Sequence, residues 1–292
     1  MEIVAENLTF TYSPKTKGLS FRALNGVNLT VKSGEIFGII GKTGSGKSTF
    51  VQHINGLIKV QKDSGALKVG EYDLTDKKCD YKSLRAKVGM MFQYPEHQLF
   101  AETVAEDVAF ALKNFNKDLS AEDVSDRVRQ AVEIVGLDYN EIKDKSPFDL
   151  SGGQKRRVAI AGVIVAKPEI LVLDEPAAGL DPKGKREFLE LLLKLHKDFV
   201  KTIIIVSHDM NLVAEYCTRA AVFSGGKIIA TGTPKEIFSD GKVLAESGLD
   251  LPLTASLTEK LKSKGVDIDS DLTVKDFTEK LIYALKNGGK AR

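Results

Sequence analysis

The stretch "GKTGSGKST", residues 41 to 49, follows the apolar run "EIFGII" (35–40) without a gap and leads into a helical segment. Its G-x-x-x-x-G-K-[ST] spacing suits a loop of small residues that wraps phosphates with backbone N–H groups, while the next helix directs the positive end of its dipole at the same anion. Gly41, Lys42, Thr43, Gly44, Ser45, Gly46 and Thr49 then belong to the cradle, Lys47 reaches the outer phosphates, and Ser48 offers a hydroxyl to Mg²⁺. A glycine-rich turn can match the pattern by accident, but the strand–loop–helix setting is what a nucleotide loop requires.

The segments around this loop alternate. β-Branched runs at 21–31, 35–40, 87–92, 169–174 and 201–207 are separated by helix-length stretches, which predicts an α/β fold with a mostly parallel sheet. Ligands of such sheets collect at the C-terminal ends of the strands. Residues 1–31 read as short antiparallel strands. From about 94 to 165 helical spacing replaces the strand signal: in "SAEDVSDRVRQAVEIVG", Val124, Val128, Ala131, Val132 and Val135 share one stripe and Ser120 is the N-cap. We read this as a helical subdomain inserted in a nucleotide-binding domain over 1–238. A C-terminal extension over 239–292 holds two helix candidates, "SLTEKLKSKG" and "TVKDFTEKLIYALKN".

Composition excludes several classes. Of 292 residues, 42% are hydrophobic and 28% charged, which allows a substantial core. The net charge is +2 with both signs interspersed, so no basic footprint for nucleic acid stands out. Cys79 and Cys217 are far apart and lack Cys or His neighbours at metal-ligand spacing, which suits a reducing compartment. No run of about 18 apolar residues occurs, so a membrane role must come through a partner.

Two further motifs carry chemistry. In "EILVLDEP" (169–176) a buried strand delivers Asp174, suited to bind Mg²⁺, and Glu175, suited to polarise an attacking water. Alone, such a pair is as well read as a solvated strand exit. In "LSGGQKRR" (150–157), Ser151, Gly152, Gly153 and Gln154 open a helix whose free N–H groups form a second anion site; without the phosphate loop, a Ser-capped helix with a Gly-rich lead-in is the better reading. Lys155, Arg156 and Arg157 read as helix-surface charges.

In order and spacing, "GKTGSGKST", "LSGGQKRR" and "LVLDEP" resemble the ATP-binding-cassette (ABC) ATPases over roughly residues 1 to 235. The resemblance implies a P-loop NTPase core and a head-to-tail dimer, with ATP held between the P-loop of one subunit and Ser151–Gln154 of the other. It also implies individual roles. Tyr12 stacks on adenine, where the residues alone also allow a core aromatic; Gln93 touches Mg²⁺ and the attacking water; Asp181 crosses to the partner subunit; His208 holds the γ-phosphate. His53 and His196 gain no such support and read as structural or solvated.

The segment "FQYPEHQLFAETVAEDVAF", with "SPFDLSGGQKRRVAIAG" and "AAGLDPKGK", resembles the ATPases of energy-coupling factor importers for vitamins and transition metals, closest to their second, A-prime type. Ala177 departs from the threonine usual after "DEP", a position that is not a phosphate ligand. The resemblance implies a paralogous second ATPase, a membrane coupling protein, a substrate-binding membrane protein, and a place on the cytoplasmic face of the membrane. Glu96 and His97 become candidates for coupling contacts. A soluble non-transport ABC ATPase, for instance in iron–sulfur assembly, is the alternative. In the tail, Val274, Phe277, Leu281 and Leu285 share a stripe that covers either the chain's own core or a second ATPase.

Overall fold

Strands β1 (Ile3–Tyr12) and β2 (Phe21–Val31) pair antiparallel, whereas β3 (Ile36–Gly41), the run ahead of the phosphate loop, enters a second sheet. After α1 (Lys47–Ile54), β4 (Ala66–Val69) and β5 (Tyr72–Asp73) complete the first sheet in the order β2-β1-β4-β5. Next come α2 (Tyr81–Lys87) and β6 (Val88–Met91), then the helices α3 (Val104–Phe115), α4 (Ala121–Ile134), α5 (Tyr139–Ile142) and α6 (Gly152–Ile164). The chain returns to the second sheet through β7 (Ile170–Asp174), α7 (Pro182–Asp198), β8 (Thr202–Val206), α8 (Met210–Tyr216), β9 (Arg219–Ser224) and β10 (Lys227–Gly232). This computed structural model describes residues 1–13, 20–116, 118–286 and 290–291, the last two by backbone alone.

The second sheet has the order β10-β9-β3-β8-β7-β6 and is parallel except for β10. Its central strands are buried on both faces, as continuous apolar runs in a parallel sheet demand. Successive side chains point to opposite faces. Phe37, Ile39, Val172 and Ile204 therefore pack with Phe50, Leu8 and Val27 beneath the antiparallel sheet. Ile36, Ile40, Leu171, Leu173, Ile203 and Ile205 face the helices on the other side.

The helical segment forms as its pattern dictates. Ser120 caps α4 by accepting from the Asp123 N–H, and Val128, Ala131, Val132 and Val135 are buried with Val124 beside them. Beyond β10 lie α9 (Pro234–Ser239), α10 (Gly241–Ser247), α11 (Leu253–Lys262), β11 (Asp267–Ile268), α12 (Val274–Lys286) and β12 (Lys290–Ala291). Ile237, Phe238, Val243, Ala255 and Leu272 join the main core, so residues on both sides of position 238 share it.

The tail stripe divides differently from the sequence reading. Phe277, Leu281 and Ala284 turn inward onto Ile268, Leu261 and Val266, while Val274 and Leu285 stay exposed. The inward face follows the i, i+4, i+7 spacing of Phe277, Leu281 and Ala284, the last a small residue that a count of large apolar residues passes over. Asn287, the end of the expected helix, lies outside the described residues. Among the described residues no helix is long and apolar enough to cross a membrane.

Candidate functional site

The phosphate loop begins where β3 ends between β8 and β9. At Gly41 (φ 145°) a Cβ would fall 2.2 Å from the Phe223 carbonyl oxygen, and at Gly46 (φ 105°) 2.4 Å from that of Ala23. Only glycine fits this close approach of backbones in the left-handed region. Gly46 is the N-cap of α1, so the helix start points into the loop. Lys47 is buried and donates to the carbonyls of Gly41 (2.7 Å) and Lys42 (2.9 Å), which closes the loop on its own side chain. The Ser45 hydroxyl is buried within the loop and has no hydrogen-bond partner among the described residues.

A cleft of about 320 Å³ opens beside the loop, lined by Thr43, Gly44, Gly46, Lys47, Ser48 and Thr49 and by Gln93, Asp174, Glu175 and His208. The parallel sheet makes this convergence: Asp174 is the last residue of β7, and Gln93 and His208 lie two residues past the ends of β6 and β8, on the same edge as the loop after β3. Asp174 is buried, which pushes its carboxyl above the usual range against the opposing pull of the Ser48 hydroxyl and Lys47. Burial likewise lowers the Lys47 ammonium, opposed by Glu175 and Asp174. The site thus holds charges that are short of water and ready for a ligand that brings counter-charge.

Glu175 sits at φ 50°, a left-handed conformation that costs a non-glycine residue on the order of 1–3 kcal/mol. Its N–H donates to the Val206 carbonyl (2.9 Å) and its own carbonyl accepts from the Ala178 N–H (3.1 Å), which holds the strained turn. Its carboxylate oxygen lies 2.8 Å from His208 Nδ1, while the rest of the His208 side chain is exposed. A carboxylate held by an imidazole at the cleft wall can accept a proton from a bound water.

The aromatic flank holds a residue absent from the sequence reading. Tyr12 keeps 42% of its surface exposed, stands edge-on to Phe10 and shares a 3.3 Å hydrogen bond with the Thr49 hydroxyl. Its cross-strand partner is Phe21, 56% exposed and lining the cleft. The signal that would have found Phe21 is the β1–β2 register, which sets it on the same face as Tyr12.

Other expected residues lie elsewhere. Ser151, Gly152 and Gly153 are exposed outside this chain's cleft; Ser151 and Gln154 form a capping box, each side chain bonded to the other's N–H. A Cβ at Gly152 or Gly153 would meet nothing within 4 Å. Asp181 caps α7 by accepting from the Gly184 N–H at 2.8 Å. His53 is fully buried and bonded to the Thr49 carbonyl, and His196 bonds to the Gly34 carbonyl. The Lys42 side chain rests on Gly248 at the end of α10, where an added Cβ would fall 2.3 Å from its Nζ.

Arg156 corrects the reading of surface charge. Its side chain is 6% exposed and pairs with Glu96 at 3.4 Å, so Glu96 is committed inside the chain, while His97 is exposed with its ring beside Tyr94. Arg157 is half-buried, bonded to the Val135 carbonyl and to Glu187.

Comparison with known proteins extends the match beyond the site. The family model for ABC transporters matches residues 24–178. Two proteins named energy-coupling factor transporter ATP-binding protein EcfA2 are each 47% identical to the chain. The one from Clostridium tetani aligns over 98% of both chains, and the one from Clostridium acetobutylicum over 99% of this chain and 100% of its own. The structure of cbiO1 from Clostridium perfringens, part of the ABC transporter complex cbiONQ, superposes with a TM-score of 0.71 at 39% identity over 88% of this chain and 98% of that one. A dimeric cassette in a post-hydrolysis state bound to ADP and Pi gives 0.69 at 30% identity over 80% and 98%. The nucleotide cleft and a likeness that runs almost end to end lead to one family: the chain belongs to the ABC transporters, as an ATPase subunit of the energy-coupling factor type.

Proposed function

We propose that this subunit pairs head-to-tail with a paralogous ATP-binding subunit on the cytoplasmic face of the membrane. There it powers uptake of vitamins or transition-metal ions through a membrane coupling protein and a substrate-binding membrane protein. The convergence of Lys47, Gln93, Asp174, Glu175 and His208 on one cleft is the observation that carries the reading. Lys47 exchanges the Gly41 and Lys42 carbonyls for the outer phosphates, Glu175 draws a proton from the attacking water, and His208 steadies Glu175 and the γ-phosphate. Tyr12 takes the adenine.

Ser48, Asp174 and Gln93 offer a hydroxyl, a carboxylate and an amide oxygen, the hard donors that Mg²⁺ prefers, and their common place on the wall of one cleft supports this role. When bound, the ion neutralises and orients phosphate oxygens. Exposure of Ser151, Gly152 and Gly153 outside their own chain's cleft supports their use on ATP bound by the other subunit, with Asp181 crossing beside them.

For the coupling protein, a groove of about 300 Å³ between β6 and α3 is lined by Leu57, Phe92 and Phe115. Near it Phe100 and Phe110 meet edge to face at 4.9 Å, 59% and 51% exposed. Grouped apolar surface of this kind marks an interaction site. Affinity capture of the full chain from detergent-solubilised membranes should bring an integral membrane protein; capture of soluble proteins alone would overturn the transport assignment. Glu175→Gln should abolish turnover and keep ATP binding within about threefold of the parent, and unaltered hydrolysis would place the base elsewhere.

A further inference from the structure

Arg156 is a buried cation with three partners on two other segments. Its Nη1 donates to the Pro176 carbonyl at 3.4 Å, and its Nη2 to the Ala178 carbonyl at 3.0 Å and to Glu96 Oε2 at 3.4 Å. The two carbonyls belong to the turn that carries Glu175, since the Ala178 N–H closes it on the Glu175 carbonyl. Glu96 belongs to the 3-10 turn Pro95–Gln98, directly after Gln93 and Tyr94. A second contact joins the same two segments: a Cβ at Gly179 would lie 3.6 Å from Tyr94 Cε1, so the Tyr94 ring rests beside that glycine. Tyr94 and Glu175 are both held at positive φ, 56° and 50°.

We propose that Arg156 is a positioning residue that couples the 94–98 turn to the backbone holding Glu175, so that the hydrolytic geometry forms only when that turn is seated. A guanidinium suits this task because its planar fork serves several acceptors from two nitrogens at once, whereas an ammonium is a single point. Its charge is buried and, among the described residues, Glu96 is the only carboxylate paired with it, so the guanidinium and Glu96 are held together. A shift of Glu96 moves the guanidinium, and the guanidinium moves the Pro176 and Ala178 carbonyls. A displacement of well under an ångström at Glu175 is enough to change the rate.

The proposal rests on Glu175 as the base, and the experiment separates the two. In the full complex reconstituted with its membrane partners, Arg156→Lys and Glu96→Gln should each lower kcat about tenfold, the loss of one charge-assisted hydrogen bond, with KM for ATP within about twofold; each disturbs a buried ion pair, so the melting temperature of the subunit falls as well and rates are compared below the onset of unfolding. A side chain that only held the fold would lower melting temperature, ATP affinity and rate together. Arg156→Met should lose more than Arg156→Lys; if it does not accumulate as folded protein, the other two variants carry the test. A kcat unchanged in Arg156→Lys and Glu96→Gln, or lost in step with stability and KM, overturns the coupling. Glu175→Gln measured alongside reports on the base alone: full turnover there removes the Glu175 reading whatever the Arg156 variants do.

Discussion

Replacing Tyr12 with alanine tests its proposed stacking on adenine. With 42% of its surface open and an aromatic side chain presenting roughly 150–250 Å² in all, about 85 Å² is available to a stacked base. Covering that area at about 25 cal/mol per Å² contributes about 2 kcal/mol, inside the ~1–3 kcal/mol measured per stacked base. Tyr12→Ala should therefore weaken ATP binding about thirtyfold. Tyr12→Phe isolates the 3.3 Å hydrogen bond to Thr49, whose loss costs no more than about 1 kcal/mol at this exposed position. The assay is calorimetric titration of the full chain carrying Glu175→Gln, with ATP and GTP in parallel. Stacking is tolerant of base identity, so both nucleotides should lose the same factor. A loss within twofold, or one that differs about tenfold between ATP and GTP, refutes the stacking argument; a loss confined to Phe21→Ala transfers the role to the cross-strand neighbour.

The backbone of the phosphate loop gives a second test: Gly46→Ala forces a Cβ to 2.4 Å from the Ala23 carbonyl oxygen, at a cost of at least about 1–3 kcal/mol. Melting temperature and ATP binding should fall together, whereas Gly44→Ala, also left-handed at φ 79° but with nothing within 4 Å, should lose only the backbone strain of about 1–3 kcal/mol and so melt above Gly46→Ala. Glu169 is partly buried, which pushes its carboxyl up, but Lys87 and Lys201 outweigh this and hold it below the usual 4.5. Its stabilisation is therefore present above the unfolded value and lost as pH falls through the lower folded value. Glu169→Gln should cost at most about 1 kcal/mol in urea unfolding at pH 7, and parent and variant should converge in acid. Phe277→Ala should remove about 3–5 kcal/mol from the small cluster with Ile268 and Ala284, read as faster proteolysis of the tail with ATP binding retained.

The parts of the fold legible in the sequence were those with local causes. The phosphate loop needs glycine at fixed positions, β3, β7 and β8 are continuous apolar runs, and α4 carries its stripe and its cap in consecutive residues. What escaped depends on distant partners. The strands β9 and β10 lack an alternation strong enough to stand alone: β9 is buried because it lies beside β3, and β10, without a buried residue, is the edge strand beside β9. Phe21 acquires meaning from its pairing with Tyr12. Arg156 lies in a run of charges whose local reading is a wet helix face; burial becomes affordable through Glu96, sixty positions earlier, and two carbonyls after β7. The tail stripe was half legible for a related reason: Phe277 and Leu281 turn inward as read, but Ala284, the most buried residue of α12, carries little apolar area and was passed over.

Lys42 lying on Gly248 brings the chain beyond residue 238 against the phosphate loop. The wall that receives the second residue of the phosphate loop is built by the end of α10, a part of the chain that a domain diagram would draw at the far side. Exchange of extensions between two related subunits is therefore also an exchange of nucleotide-loop environment. A graft that places any side chain at position 248 would displace the end of the Lys42 side chain, the residue whose carbonyl accepts from Lys47.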